Sequence, residues 1–307
     1  MKNLLKMGLE EGAIGLSFGL EYTPGATIME MIELSKVVAN YSNRLVAAHY
    51  RFDSNRSLEA IAEMIIIARE TGVKFQISHI GSCTAFGQME TALEMIKAAN
   101  EAGVDIMADV YPYDAFSTYV GSAVFDEGCF EKWGVDYSAI KVTEGKYKGQ
   151  RCNKEIFEYI RKNEPDDLVV AFVMEDKEVL KAMQHPLVMI ASDGILNEGQ
   201  GHPRAAGTFP RVLGKYVREE GKLELIKAID KITRMPAERA GLSNKGRVKE
   251  GYDADLCIFD YDKIIDKATF NSPTKKPEGI KEVIVGGTSV VKKGGLVGKY
   301  PGSVLFY

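Results

Sequence analysis

Four short, mostly apolar runs set the rhythm of the first two thirds of the chain: RLVAAHY (44–50), KFQISHI (74–80), DIMADVYPY (105–113) and LVMIASDG (187–194). Each is too apolar for a half-exposed strand and ends in a polar residue, which predicts parallel strands buried on both faces. Between them, SLEAIAEMIIIARETG and METALEMIKAANEAG carry apolar residues at helical spacing, with Gly72 and Gly103 in C-cap position. His49, His79 and Asp109 recur at intervals of thirty residues, the length of one βα unit. Upstream, GAIGLSFG (12–19) reads as one more strand, followed by the helix IMEMIELSKVVANYS. Alternation of this kind, without hairpin signals, predicts a (β/α) barrel or a doubly wound sheet. Polar residues at the ends of several strands favour the barrel.

From about residue 114 to 186 the rhythm breaks: a longer stretch with the only Trp and two of the four Cys stands where a single helix is expected. It reads as an insert at the carboxyl end of the strands that shapes substrate access. LIKAIDKITRMPAERAGL then reads as one or two helices, with Pro236 interrupting the pattern. Short β segments follow: GRVKEGYDADLCIFD, IKEVIVGGTSVVKKG and LVGKYPG. The expected organisation is a partial barrel over residues 1–244 and a small β appendage over 245–307, with SPTKKPEG as a surface loop.

Composition narrows the function. A chain of 307 residues, 45% hydrophobic and 27% charged, buries a large core. Its net charge of −4 gives no electrostatic case for nucleic acid or an anionic membrane surface, so the expected partner is a small molecule. There is no apolar run of about eighteen residues, and the start MKNLLKMGLEEGAIGLSFG carries acids where a signal peptide has an apolar core, so a cytoplasmic location is expected. The cysteines, Cys83, Cys129, Cys152 and Cys257, lack any CxxC spacing and are expected as free thiols.

Histidine is scarce, four in all, yet two end consecutive strands in the same register, as AAHY and ISHI. On a barrel this puts the imidazoles of His49 and His79 side by side at the catalytic rim, whereas either alone reads as a core histidine satisfied by backbone. The next strand ends in Asp109 and the last in Ser192-Asp193-Gly194, where glycine permits a tight turn. Two neutral imidazoles and a carboxylate from separate strands suit zinc or a similar ion with an open position for water. Asp193 is the stronger carboxylate, because Asp109 reads equally well as a cap of the following loop.

In the ordered segments GLSFGLEYTPG, AHYR, QISH, ADVYPY, ASDG, GHPR, GTFPRVLGKYVRE, KITRMPAERAGL, KGRVKEGYDADLCIFD and DKATF the chain resembles the amidohydrolase superfamily and, within it, the D-aminoacylase (N-acyl-D-amino-acid deacylase) group. The resemblance implies the C-terminal part of a TIM-like (β/α)8 barrel, strands four to eight, with part of a β-sandwich-like appendage. It implies that His49 and His79 bind zinc, with one or two ions in the complete enzyme, and that Asp193 is both metal ligand and proton shuttle. Arg204, Tyr113 and Tyr22 match the groups that hold the substrate carboxylate and line its pocket. The implied activity is hydrolysis of N-acyl-D-amino acids to a carboxylate and a free D-amino acid. Two alternatives are a cyclic-amide hydrolase of the dihydroorotase or hydantoinase type, and a non-catalytic half-barrel that serves as an interaction subunit.

Two departures accompany the resemblance. The family often has a Lys shortly after the sixth-strand His, where this chain has Ile80, Gly81 and Ser82, which leaves the amino-acid substrate and its configuration open. The family's first strand carries His-x-His, and an early acidic, Cys or modified Lys ligand completes its metal site, but no HxH occurs in this sequence. Met1 matches the helix before the fourth strand, so the chain reads as N-terminally truncated, with five strands that cannot close a barrel. A homo-oligomer or a complementing N-terminal chain is then expected to cover the open edges.

Overall fold

A computed structural model describes residues 1–307. Five parallel strands form one open sheet in the order β1 (Gly15–Gly19), β2 (Leu45–His49), β3 (Lys74–Ile77), β4 (Ile106–Val110) and β8 (Val188–Ile190). The apolar runs form these strands because both faces are covered, and β8 is buried throughout. Consecutive pairing runs Gly19↔His49, Ala48↔Ile77, Ile77↔Ala108 and Val110↔Ile190, so the carboxyl ends of the strands line up at one rim. The edges are β1 and β8. Gly15 is required in β1, since a Cβ there would lie 1.8 Å from the Leu45 carbonyl oxygen.

The helices packed around the sheet are α1 (Lys2–Glu10), α2 (Ile28–Ala39), α3 (Ser57–Thr71), the short α4 (Ile80–Thr84) and α5 (Met89–Glu101). Gly72 ends α3 in the left-handed region at φ 66°, and Gly103, one residue beyond the cap of α5, has φ 89°. No helix is long and apolar enough to cross a membrane.

After β4 the chain enters a three-stranded antiparallel sheet of order β5 (Phe116–Tyr119), β7 (Leu168–Ala171), β6 (Ile140–Val142), with α6 (Cys129–Trp133) and α7 (Lys154–Asn163) between its strands. The crossover helix that the βα rhythm requires is not replaced by this stretch; it survives as α8 (Asp176–Gln184), just ahead of β8. One buried core runs through the main sheet, its helices and the insert, including Phe125, Trp133 and Phe157, so the insert is fused to the barrel and not a separate unit.

Beyond β8, a small hairpin of β9 (Leu196–Asn197) and β10 (Gln200–Gly201) leads to α9 (Arg204–Arg211), which continues as π-helical turns over Val212–Glu219. Two further helices are α10 (Leu225–Ile232) and α11 (Arg234–Arg239). The break between them falls at Thr233, with φ −133° and ψ −79°, and not at Pro236, which sits in the first turn of α11 where its missing N–H costs nothing. The chain closes with an antiparallel sheet of β11 (Leu256–Phe259), β12 (Ile280–Val285), β13 (Thr288–Lys292) and β14 (Gly295–Leu296). No residue of these four strands is buried, and the appendage is anchored through Ile264, whose carbonyl accepts from Arg218 on the π-helical segment.

Candidate functional site

At the carboxyl rim a cavity of about 480 Å³ lies between the strand ends and the insert. His49 enters it from the end of β2 and His79 from the turn after β3, one residue out of register, because Ala48 pairs with Ile77 and so sets His49 level with Ser78. His79 caps α4 in the left-handed region at φ 36°, an unfavourable conformation for a residue with a Cβ. Its backbone N–H donates to Asp109 Oδ1 at 2.8 Å, which holds the turn in place. Asp109 is therefore neither a free rim carboxylate nor a cap of its own loop. It also accepts from Gln76 Nε2 at 2.7 Å, and burial pushes its carboxyl up to about 6.

The hydrogen-bond network fixes the protonation of both rings. Glu21 Oε2 lies 2.8 Å from His49 Nε2 and can only accept, so Nε2 carries the proton and Nδ1 the lone pair. Ser82 Oγ donates to the His79 carbonyl at 2.9 Å, so its contact with His79 Nδ1 at 2.7 Å is an N–H donating to the hydroxyl, which leaves the lone pair on Nε2. These two lone-pair atoms, His49 Nδ1 and His79 Nε2, face each other 3.2 Å apart. Two ligands at about 2.05 Å from a tetrahedral zinc lie roughly 3.3 Å apart, so the spacing fits a shared ion. Burial holds His79 down at about 4, which keeps it neutral near pH 7. A third soft donor is close: single donor atoms of His49, His79 and Cys83 all lie within 4.8 Å of one another.

Asp193 and Arg204 occupy another wall of the same cavity. The residue in the left-handed region is Asp193 itself, at φ 47°. Gly194 is small for a different reason, because a Cβ there would lie 2.8 Å from Ala205 Cα as α9 passes. Asp193 Oδ2 pairs with Arg204 Nη2 at 2.9 Å. Arg204 is buried at 2% exposure, its guanidinium stacks 4.4 Å from the Tyr111 ring centroid, and Nη2 also donates to the Ser117 carbonyl at 3.2 Å. Its Nε and Nη1 have no protein partner. Unpaired buried donors of this kind are costly. His202 sets the start of α9: Nδ1 accepts from the Arg204 N–H, and Nε2 donates to the Ala115 carbonyl.

Tyr22 lines the cavity beside His49, with ring centroids 4.7 Å apart and its hydroxyl 3.2 Å from Thr118 Oγ1. Tyr113 is not brought there. It is buried against Gly207, Asp266 and Arg211, where its hydroxyl donates to Asp266 Oδ2 at 3.4 Å and ties α9 to the appendage. The insert supplies Phe116, Thr118 and Val124 to the cavity wall. It also reaches the histidines indirectly, since Lys132 of α6 lies 2.6 Å from Asp53 Oδ1 and 3.5 Å from Glu21 Oε1, while Trp133 Nε1 donates to Asp53 Oδ2. Sequence reading missed Glu21, Asp53 and Lys132, which are brought together only by the fold. Cys83 left a signal, standing four residues after His79 in ISHIGSC.

Residues 167–291 match the sequence profile of the Amidohydrolase family. The N-acyl-D-glutamate deacylase of Alcaligenes xylosoxydans xylosoxydans is 33% identical over 305 residues, covering 94% of this chain and 60% of the relative. The D-aminoacylase of the same organism is 33% identical over 319 residues, covering 99% and 64%. Among solved structures, N-acyl-D-glutamate deacylase from Bordetella bronchiseptica, complexed with zinc and a phosphonate inhibitor, superposes with a TM-score of 0.87 at 32% identity, covering 100% of this chain and 65% of that one. The chain thus spans 60% to 65% of the length of these relatives. Across nearly its whole length the chain is similar to the D-aminoacylases, and the Amidohydrolase family match falls within that similarity.

Proposed function

We propose that this chain carries the catalytic part of a zinc-dependent hydrolase that cleaves the amide bond of N-acyl-D-amino acids, releasing a carboxylate and a free D-amino acid. The observation that carries the reading is the convergence of His49 Nδ1 and His79 Nε2 over a cavity that also holds Asp193 and the half-free guanidinium of Arg204. Zinc held by such a pair supplies a Lewis acid and lowers the pKa of water to about 7. Asp193 is the base that takes the proton from the attacking water and returns it, from its carboxylate oxygen, to the departing amide nitrogen. Arg204, which lines the cavity, binds the substrate carboxylate, and its Nη2 keeps Asp193 in place. Tyr22 closes the cavity over His49. The relatives named for N-acyl-D-glutamate and D-amino-acid substrates support the same chemistry. The edge strands β1 and β8 are read as contacts for a second copy or a complementing N-terminal chain.

The test is a panel of N-acyl-D-amino acids set against N-acyl amines of matching structure, with zinc present. Acyl amino acids should be cleaved and amines should not compete. Arg204→Lys should raise KM for the acyl amino acids about tenfold and leave amines indifferent, because a point charge replaces a two-pronged donor. Equal effects on both classes would remove the role given to Arg204.

A further inference from the structure

Arg204 fixes how an amino acid in the cavity lies against the insert. Its Nη2 donates to the Ser117 carbonyl of β5 at 3.2 Å, so a carboxylate held by this guanidinium is placed beside β5 and the α-carbon follows it. The side chain leaves from that carbon, whereas the acyl group lies beyond the amide nitrogen. The insert's share of the cavity wall includes Phe116, Tyr119 and Val124, and its Thr118 hydroxyl already meets that of Tyr22 at 3.2 Å. Phe116 and Val124 are otherwise buried, and Phe116 is braced edge-on by Trp133 with ring centroids 5.6 Å apart. Arg204 is the one Arg or Lys side chain that lines the cavity, against the carboxylates of Glu21, Asp53 and Asp193. The insert's Lys132 is engaged by Asp53 Oδ1 at 2.6 Å and Glu21 Oε1 at 3.5 Å.

From this wall we propose that the site selects N-acyl-D-amino acids with uncharged, apolar side chains and rejects those with acidic ones, the insert receiving the side chain through Phe116, Tyr119 and Val124. The inference rests on the proposed function and names its substrate class. A second substrate carboxylate leaves water for an apolar wall with no cation to receive it, in a cavity where carboxylates already outnumber basic side chains. Burying an ionised group unpaired is costly, and like charges brought together at a binding surface repel. An aliphatic or aromatic side chain instead gains by removing its own surface, and that of Phe116 and Val124, from water. Because Phe116 is packed into the insert core, the wall does not swing aside to admit water or a distant cation. Selection of this kind separates the chain from its relative named for N-acyl-D-glutamate.

Calorimetric titration of the full chain near neutral pH, with zinc present, should compare the N-acetyl derivatives of D-leucine, D-phenylalanine, glycine and D-glutamate. N-Acetylglycine has no side chain and sets the reference. The D-leucine and D-phenylalanine compounds are expected to bind at least about tenfold tighter than the reference. N-Acetyl-D-glutamate should bind no tighter than the reference. Tyr119 is 42% exposed, so Tyr119→Arg adds a cation to the wall at little cost to folding. That variant should tighten N-acetyl-D-glutamate by about tenfold and leave N-acetylglycine within about threefold. If the wild-type chain binds N-acetyl-D-glutamate as tightly as N-acetyl-D-leucine, the selectivity is overturned and the deacylase reading stands. An unchanged N-acetyl-D-glutamate affinity in a Tyr119→Arg variant with wild-type circular dichroism takes the side chain off the insert and overturns the assignment of the wall. The wild-type panel needs no variant to fold. If no N-acetyl amino acid binds better than its matching N-acetyl amine, both readings fall together.

Discussion

The two ends of the same five strands treat their polar residues in opposite ways. At the amino end, Arg239 donates to Gln76 Oε1, the Asp105 carboxylate and the carbonyls of Phe75 and Asp105. Lys231, close by, donates to the carbonyls of His185 and Val188. Both side chains are buried, and neither has an orphan nitrogen. At the carboxyl end, two imidazole lone pairs face each other and Arg204 keeps two donors without a protein partner. One end satisfies its polar groups and staples the sheet; the other leaves them to be satisfied by something that binds. Gln76 joins the two, accepting from Arg239 Nε and donating to Asp109, which in turn holds the His79 N–H.

This contrast breaks first, and most visibly, in turnover. In an assembly that hydrolyses N-acyl-D-amino acids, Asp193→Asn should cut kcat by about 10³-fold while substrate binding persists, because an amide cannot carry the proton. Metal content measured on the same samples separates lost proton transfer from lost metal. Retention of activity within about tenfold would move the base elsewhere.

At the stapled end the effect is on stability alone. Arg239→Met strips four hydrogen-bond partners from a buried guanidinium and should lower unfolding stability by about 2 to 3 kcal/mol, read from urea melts. Zinc affinity should change by no more than about threefold, as expected for distant sites. A larger loss of affinity would show that the Gln76 thread transmits strain to the rim.

The smallest effect is a slope against pH. His79 is held at about 4 in the fold, so the unfolded chain takes up a proton first below its ordinary value near 6.5, and stability falls on acidification through that window. Asp109 is raised to about 6, so the fold takes up the proton first and stability rises on acidification from about 6 toward 3.8. Between about 4 and 6 the two slopes, each up to roughly 1.4 kcal/mol per pH unit, offset one another. Asp109→Asn removes one of them, so the metal-free variant should lose stability between pH 6 and 4.5 more steeply than the parent chain, as chemical denaturation at each pH would record.

Legibility in sequence followed the range of the interactions. The strands β2, β3, β4 and β8 stood out as apolar runs because a sheet covered on both faces needs them, but the expected shared register of His49 and His79 is off by one residue, since Ala48 pairs with Ile77 and His79 lies in the left-handed turn beyond β3. Alternation ends with β4, so nothing local says that Tyr111 turns under Arg204 and Tyr113 toward Asp266. The helix α8 was masked by the insert before it, whose antiparallel strands pair residues as far apart as Phe116 and Ala171. The network of Glu21, Asp53 and Lys132 likewise joins three segments with no common period.

The central claim, that His49 Nδ1 and His79 Nε2 share an ion, is tested most directly by anomalous diffraction from zinc-grown crystals of this chain, recorded on both sides of the zinc edge. One peak is expected at the rim, about 2.0 to 2.1 Å from both nitrogens. A shared ion would be contradicted by a zinc ion bound only at His185 or His202, with the two rim imidazoles left 3.2 Å apart and joined by nothing but a hydrogen bond.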